Sequence, residues 1–375
     1  MKKRKIKKSV KIKFVLIVLL IIGVLFYNTP VKTNEKVKEK TNTVSEEKEE
    51  PSKKKMSLFA VGDVLIHESV YKDAKENGTY NFTKMFEYVE PIIKKYDLKY
   101  CNQESTIGGS ALGISGYPAF NSPDEIGDEI VRLGFNLIGL ANNHALDRGV
   151  DAVMYSNSYW KSKNVITAGA YSSKEERDEA KVYEQNGIKY AFLAYTTLSN
   201  NKVPNDYIIN MYSAERTKED IEKIKDQVDV IIVSMHWGTE FTNTPTESQR
   251  QIAEYLSSLG VNVIIGAHPH VIQPITYIGD TLVIYSLGNF ISNQLSVSTN
   301  SGIGLMVGMD IILEDNKVKI DNLYKELILS YADQESNYNN NKNFKVIPFS
   351  KLNGDLLNDY KNVEEQYLSI VEGEL

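Results

Sequence analysis

The five histidines of this 375-residue chain, at positions 67, 144, 236, 268 and 270, each lie just beyond a short apolar run. Two of them are one residue apart, in the sequence Gly-Ala-His-Pro-His that directly follows Val263–Ile265. An apolar run that stops so abruptly is typical of a buried strand. Imidazoles at the end of such a strand can bind a metal ion, so His268 and His270 are the strongest candidate ligands.

Other side chains of the types that bind divalent cations follow the remaining apolar runs. Zn²⁺ and Mn²⁺ accept imidazole and carboxylate ligands, and a two-metal site needs about five to eight of them. Taken alone, each candidate has an ordinary alternative as a helix cap, a turn residue or a solvated charge. Their joint position at strand ends predicts a shared site for one or two divalent ions, Mn²⁺, Zn²⁺ or Mg²⁺. The candidate ligands are Asp63, Glu104, Asn143, His236, His268 and His270.

A further histidine beside such a site could protonate a leaving group or stabilise a developing oxyanion. His144 directly follows the candidate ligand Asn143 and suits that role, with Asp147 three residues beyond it as a second catalytic candidate. Core packing is the alternative for Trp237, and a turn is the alternative for Asn289. The residues predicted to line the substrate cleft are His67, Asn102, Trp237, Glu240 and Asn289.

The apolar runs alternate with helical patterns, which predicts an α/β fold with largely parallel sheets. In such folds ligands bind at the carboxyl ends of the strands. Predicted helices include 84–95, 124–133, 150–163, 216–227 and 246–259, and predicted strands include 57–61, 98–101, 135–140, 189–196, 228–235, 282–285 and 304–313. We predict a folded domain at 56–330, followed by a loop and a C-terminal helical tail at 331–375, with the loop at Asn337–Asn343 and the helix at Leu352–Leu375.

The amino terminus has the composition of a membrane anchor. Residues 1–13 carry eight Lys or Arg and are predicted to form a cytoplasmic basic tail. The 18 residues of 14–31 carry no charge, which is the lower limit for a spanning helix. Residues 32–55 are nearly all polar or charged and are predicted to be a flexible linker. We therefore expect a single-pass protein of the cell membrane whose C-terminal domain is extracytoplasmic. A cleaved signal peptide is the alternative, although no small-residue cleavage site follows the apolar run.

Composition excludes several other classes of protein. The single cysteine, Cys101, excludes an internal disulfide and a cysteine-rich zinc site. Residues 1–55 hold 16 Lys and Arg against 6 Asp and Glu, whereas the rest of the chain holds 27 against 43. An acidic body of this kind argues against nucleic acid as a partner.

Six segments together resemble the successive motifs of the bacterial capsule synthesis protein family, CapA or PgsA: GDVLIH, NQEST, ANNHALDRG, MHWGTEF, GAHPHV and SLGNF. That family in turn resembles calcineurin-like metallophosphoesterases. The resemblance covers about 56–291. It implies a metallophosphoesterase-like β-sandwich flanked by helices, in an αββα arrangement. It also implies a membrane-anchored role in making or exporting poly-γ-glutamate, with this anionic polymer and the membrane subunits of a capsule synthase as partners.

The resemblance also implies roles for individual residues. Asp63 resembles the aspartate that holds one metal, and Glu104 stands near the position of a bridging aspartate. Asn143 resembles a ligand asparagine and His144 the catalytic histidine that follows it, while His236, His268 and His270 resemble the later ligand histidines. Two departures weaken the expectation of a complete two-metal centre. The phosphoesterases have Asp-x-His where this chain has Leu65 two residues after Asp63, and their bridging aspartate is replaced by Glu104.

The expected function is therefore metal-assisted hydrolysis or transfer in capsule synthesis or export. Two alternatives remain at this point. The same cleft could bind the polymer or a partner protein without catalysis, as a subunit of a capsule synthase complex. The protein could also be a surface metallophosphoesterase unrelated to capsule.

Overall fold

The computed structural model describes residues 53–294 and 299–373. The predicted cytoplasmic tail, the predicted anchor at 14–31 and nearly all of the predicted linker lie outside the described residues. Within the described ranges, no helix has the length and apolar character needed to cross a membrane. The first strand begins at Lys54, so the last two residues predicted to be linker belong to the folded domain.

Two sheets form the centre of this domain. The larger sheet contains the parallel strands β1, β4, β5 and β6, extended on the β1 side by the antiparallel strands β14, β15 and β16, and a short strand β13 also pairs with β1. Its strands are β1 (Lys54–Val64), β4 (Leu98–Gln103), β5 (Leu137–Gly139), β6 (Ile166–Ala168), β13 (Asn289–Ile291), β14 (Ile303–Glu314), β15 (Lys317–Asp333) and β16 (Lys342–Pro348).

The smaller sheet has the order β11-β12-β10-β9-β8-β7, in which the four central strands are parallel. Its strands are β7 (Tyr183–Gln185), β8 (Ile188–Thr196), β9 (Val230–His236), β10 (Val263–Ala267), β11 (Ile275–Ile278) and β12 (Thr281–Ile284). Every residue of β9 and β10 is buried. Strands covered on both faces are apolar along their whole length, which explains why their sequences read as continuous apolar runs. A separate hairpin is formed by β2 (Lys75–Glu76) and β3 (Thr79–Tyr80).

The two sheets pack face to face, and helices cover their outer faces. Tyr100 of the larger sheet meets Phe192 of the smaller one with ring centroids 5.9 Å apart, inside one continuous apolar core. A second core lies beneath helices on the larger sheet and a third beneath helices on the smaller sheet. The helices are α1 (Glu68–Asp73), α2 (Glu90–Ile93), α3 (Asp124–Leu133), α4 (Gly149–Ser162), α5 (Lys174–Asp178), α6 (Ala214–Ile224), α7 (Glu247–Ser258), α8 (Thr299–Gly302) and α9 (Tyr360–Val371). The predicted mixed α/β fold is confirmed.

Three of the predicted elements differ from the structure. The segment 84–95 contains only a 3₁₀ turn (Thr83–Met85) and the four-residue helix α2, because Pro91 lacks the amide hydrogen that a continuous helix needs at that position. The predicted loop Asn337–Asn343 overlaps the start of β16, which begins at Lys342. The alternation of polar and apolar residues in this edge strand is short and follows a run of asparagines, so the sequence did not reveal where the strand begins. The terminal helix starts at Tyr360 rather than Leu352 and ends at Val371.

Candidate metal centre

Strand β1 delivers Asp63 to the centre of the molecule. The preceding residue, Gly62, allows the chain before β13 to approach closely, since a Cβ there would lie 1.8 Å from the carbonyl oxygen of Gly288. The amide of Asp63 donates to that same oxygen at 3.0 Å. This contact aligns Asp63 with Asn289 in the parallel pair of β1 and β13. The fully buried Asp63 carboxylate then faces His270, with Oδ2 at 3.2 Å from Nδ1.

Glu104 lies just beyond β4 and is completely buried. Neither of its carboxylate oxygens has a hydrogen-bond partner. Its nearest imidazole nitrogens are Nε2 of His270 at 3.6 Å and Nε2 of His236 at 4.0 Å. Burial raises the pKa of this carboxyl well above its ordinary value. A buried carboxylate without a partner is costly, so its position among imidazoles points to a cation as its missing partner.

Glu104 is shared by two groups of possible metal ligands. Glu104, His236 and His268 offer ligand atoms that all lie within 4.8 Å of one another, and so do Asp63, Glu104 and His270. Asn143 extends the first group, because its Oδ1 lies 2.8 Å from Nε2 of His236. The structure therefore brings together all six predicted ligands.

Electrostatics differ between the two groups. Burial lowers the pKa of His236 well below its ordinary value and that of His268 to about 4, so both rings are neutral near pH 7. The Nδ1 of His268 is buried and has no hydrogen-bond partner. At His270, burial favours the neutral ring, but the carboxylates of Glu104 and Asp63 outweigh it and raise its pKa to about 9. Neutral imidazoles and carboxylates are the donor set of zinc and manganese sites. His236 and His268 already have the neutral form, and His270 and Glu104 would release their protons to a bound cation, so these residues fit a divalent metal.

The loop that carries His268 and His270 has an unusual backbone. His268 has φ of 95° and His270 has φ of 58°, in a region that non-glycine residues rarely adopt. The loop is held by the amide of Phe241, which donates to the carbonyl of Pro269 at 2.8 Å. Strained backbone of this kind is found where surrounding structure fixes a functional geometry.

His144 stands at the edge of this centre with its own carboxylate. Its Nδ1 lies 2.7 Å from Oδ2 of Asp147, which also accepts the amide of Phe120 at 2.8 Å. If Nδ1 donates to Asp147, the other ring nitrogen, Nε2, is left to exchange a proton with a ligand. Asn200 lies beside the same ring, with Nδ2 at 3.5 Å from Nε2. The contact with Asp147 thus fixes the orientation of the His144 ring.

A cleft of about 630 Å³ opens onto the centre. His144 and His270 line it together with two of the residues predicted to bind substrate, His67 and Glu240. Burial lowers the pKa of His67 to about 4. The rest of the lining is aromatic, amide or apolar: Leu65, Tyr117, Pro118, Phe120, Asn143, Asn200, Phe241, Asn293, Gln294 and Tyr338.

Three residues predicted to line the cleft are placed elsewhere. Trp237 is fully buried in the core between the smaller sheet and its helices, where its Nε1 donates to the carbonyl of Tyr285 at 2.9 Å. Asn102 is also buried and donates to Oδ1 of Asp63 at 2.8 Å. Asn289 is buried beside His270. Trp237 is thus held in the core, whereas Asn102 and Asn289 are held beside the candidate ligands Asp63 and His270. A role for these three residues in substrate binding stays a prediction.

The sequence analysis missed Asn200 and the aromatic residues that line the cleft, which are Tyr117, Phe120, Phe241 and Tyr338. The strand β8 showed no chemical cluster in its own sequence, yet Ser-Asn-Asn follows it at 199–201 and brings Asn200 to His144. Phe120 packs edge-on against both His67 and His144, with centroid distances of 5.4 and 4.8 Å. No spacing pattern marks Phe120, because it comes from a loop that precedes α3.

The fold and the site define a two-sheet α/β protein with a candidate centre for divalent metal ions. This chain belongs to the bacterial capsule synthesis protein family, PGA_cap, whose sequence model matches residues 57–294. It is 29% identical over 245 residues to the PGA biosynthesis protein CapA of Bacillus subtilis, covering 64% of each chain. It is 25% identical over 254 residues to the capsule biosynthesis protein CapA of Bacillus anthracis, covering 64% of this chain and 60% of that one. The match thus spans less than two thirds of the length of these relatives.

More distant similarities were also found. A 5'-nucleotidase of Vibrio cholerae is 24% identical over 205 residues, which is 47% of this chain and 35% of that protein. Among solved structures, the calcineurin-like phosphoesterase YfkN of Bacillus subtilis is 16% identical, with a TM-score of 0.47 over 73% of this chain and 90% of that one.

Proposed function

We propose that this protein is a membrane-anchored, extracytoplasmic component of capsular poly-γ-glutamate synthesis or export, with a metal-dependent hydrolase or transferase site. The family and the two CapA relatives support the capsule role. The observation that carries the chemistry is the buried Glu104 carboxylate, which has no hydrogen-bond partner and is shared by two groups of metal ligands.

The residues divide the work. Asp63, Glu104, Asn143 and the histidines of β9 and the loop after β10 would hold the metal. When bound, a divalent ion polarises a carbonyl or phosphoryl oxygen and lowers the pKa of a water molecule. His144 is held by Asp147 so that its other ring nitrogen can give a proton to a leaving group or take one from a nucleophile. The ring of Phe120 packs edge-on against His144, with centroids 4.8 Å apart, and lines the cleft beside it.

The described lining of the cleft offers little positive charge to attract an anionic polymer by itself. Among the described residues that line it, none is Lys or Arg, and Glu240 adds a negative charge. The rest of the chain beyond residue 55 is acidic as well. Binding of a polyglutamate segment should therefore depend on the divalent metal. The affinity for polyglutamate should not fall steeply with added salt, because salt would mainly screen the repulsion between the polymer and the acidic protein.

The membrane part of the proposal rests on the sequence of the first 31 residues. A basic segment followed by 18 uncharged residues would place the folded domain outside the cell. The membrane subunits of a capsule synthase are the partners that such a tethered domain would serve.

The proposal is tested in two measurements on the full-length protein in detergent and in its host. The metal content of the purified wild type should be at least one divalent ion per chain. The variant His144→Ala should keep that metal and its cooperative unfolding but lose capsule production. Tyr277→Ala, which removes an exposed ring from β11, is the control and should produce capsule normally.

The outcomes distinguish the catalytic role, the metal site and the two alternative functions. Normal capsule production by His144→Ala would refute the catalytic role and leave the non-catalytic binding subunit. Absence of bound metal, with stability unchanged by chelation, would refute the metal site. Turnover of a simple phosphodiester in a strain whose capsule does not depend on this protein would favour the surface phosphoesterase, a possibility supported by the similarity to a 5'-nucleotidase.

A further inference from the structure

Two oxygen atoms converge on one nitrogen of His270. Oδ1 of Asn289 lies 3.1 Å from Nδ1, and Oδ2 of Asp63 lies 3.2 Å from the same atom. An imidazole nitrogen carries at most one hydrogen, so it cannot satisfy both oxygens equally. Oδ2 of Asp63 has one other donor, the amide of His268 at a long 3.4 Å. The oxygens of Asp63 and Asn289 therefore offer more acceptor lone pairs than there are hydrogen-bond donors around them.

The orientation of Asn289 is fixed by its other atom. Its Nδ2 lies 2.8 Å from the carbonyl of Ser301, 2.9 Å from Oε1 of Gln294 and 3.3 Å from the carbonyl of His270. All three partners are acceptors, so Nδ2 is the amino end and Oδ1 is the end that faces His270. The pairing of β13 with β1 places this oxygen beside Asp63.

The spacing of these atoms fits ligands of a common ion. Oxygen and nitrogen ligands at about 2.1 Å from one cation lie roughly 3.0–3.4 Å from each other. The two distances at Nδ1 of His270 fall in that range. Its other nitrogen, Nε2, lies 3.6 Å from Oε1 of Glu104, the carboxylate that the two ligand groups share. Leu65, two residues after Asp63, supplies no ligand atom to this part of the site although it lines the cleft beside His270.

We propose that Asn289 is a metal ligand, and that its Oδ1 joins Asp63 and His270 in holding a second divalent ion beside the one held by Asn143, His236 and His268. In this arrangement Asn289 replaces the donor that Leu65 lacks. The inference rests on the metal site of the proposed function and specifies the number of ions and the residues that hold the second.

The experiment counts ions rather than turnover. The full-length protein in detergent is stripped with a chelator and dialysed against MnCl₂, and bound Mn²⁺ is measured per folded chain. We expect two ions in the wild type and one in Asn289→Ala. His236→Ala should lose the other ion and keep the one near Asn289. Adding Leu65→His to Asn289→Ala should restore the second ion, because it returns a donor to the same place.

The variant Asn289→Asp tests whether Asn289 binds the ion or only orients His270. Because it keeps the size of the side chain, it also serves if Asn289→Ala does not fold. A carboxylate ligand should tighten binding of the second ion by about tenfold, whereas a purely orienting acceptor should leave affinity within twofold. Two ions in Asn289→Ala, or no gain from either Leu65→His or Asn289→Asp, would overturn the inference. A wild type that binds one Mn²⁺, lost in His236→Ala, would overturn it and leave the proposed function standing. A wild type that binds none would overturn both.

Discussion

Glu104→Gln should make the metal-free protein more stable while abolishing its response to metal. The wild-type carboxyl is buried without a hydrogen-bond partner, and burial raises its pKa well above 4.5. The folded state therefore holds a proton that the unfolded chain releases above about pH 4.5. The sign follows directly: as pH rises above that point, Glu104 increasingly destabilises the metal-free fold. Glutamine keeps the shape and removes the ionisation.

The expected size follows from the cost of burying a charged group without a hydrogen-bond partner. Each pH unit between the unfolded and folded pKa values costs about 1.4 kcal/mol, and loss of the attraction to His270 offsets part of the gain. We expect metal-free Glu104→Gln to exceed the wild type by about 1–2 kcal/mol at pH 7. Metal at a hundred times its dissociation constant should add about 2.7 kcal/mol per ion to the wild type. The variant should gain almost nothing, since Glu104 belongs to two of the three possible ligand groups, and the carboxylate of the third, Glu240, is exposed.

The assay is urea unfolding of both proteins, after chelation and again with saturating MnCl₂. The matched control is Glu129→Gln, because Glu129 is the other buried glutamate of the described residues and accepts from Arg132 at 2.7 and 2.8 Å. That variant should lose stability equally with and without metal. The reasoning fails if metal-free Glu104→Gln is clearly less stable than the wild type, or if Mn²⁺ still stabilises it.

Three further predictions concern the surroundings of the site. Trp237→Phe should lower the free energy of unfolding by about 1–3 kcal/mol, because the carbonyl of Tyr285 loses its donor. The affinity for Mn²⁺ should stay unchanged, and a changed affinity in titration calorimetry would contradict a purely structural role for Trp237. Gly62→Ala should lower stability and weaken Mn²⁺ binding measured by equilibrium dialysis, because the new Cβ would lie 1.8 Å from the carbonyl oxygen of Gly288 and force β1 away from β13. Unchanged Mn²⁺ binding would show that this contact does not matter for the site. Mn²⁺ affinity should rise with pH by up to about tenfold per pH unit for each proton released on binding. The reason is that burial raises the pKa of Glu104, which must lose its proton to bind the ion. An affinity that does not change with pH would mean that Glu104 is not a ligand.

Much of the site could be predicted from the sequence because the central strands of the smaller sheet are covered on both faces. Strands such as β9 and β10 are then apolar throughout, and the first polar residue after each one marks the edge where the strands converge. His236 and His268 were found in this way. The fold class followed from the same alternation of strands with helices.

The sequence could not distinguish a residue that lines the cleft from one that supports the site. Trp237 and Phe120 are both large rings next to the centre, yet the first packs beneath a sheet and the second forms the cleft wall. That difference depends on which face of β9 the ring occupies and on a loop from another part of the chain. Both are long-range properties that propensity and spacing do not report.

The alternation of side chains along a strand helps to separate residues that face the site from those that do not. Residues two apart at a strand end point to the same side, so the partner of Glu104 across one residue, Asn102, should face the site with it, and Gln103 should not. The structure agrees: Asn102 donates to Asp63, whereas Gln103 turns away to donate to the carbonyl of Ser105 at 2.7 Å. The same rule applied to β1 puts Leu65 on the side of Asp63, and Leu65 does line the cleft. An apolar residue at that place leaves a gap among the ligands, and the oxygen of Asn289, brought in by β13, is positioned to fill it.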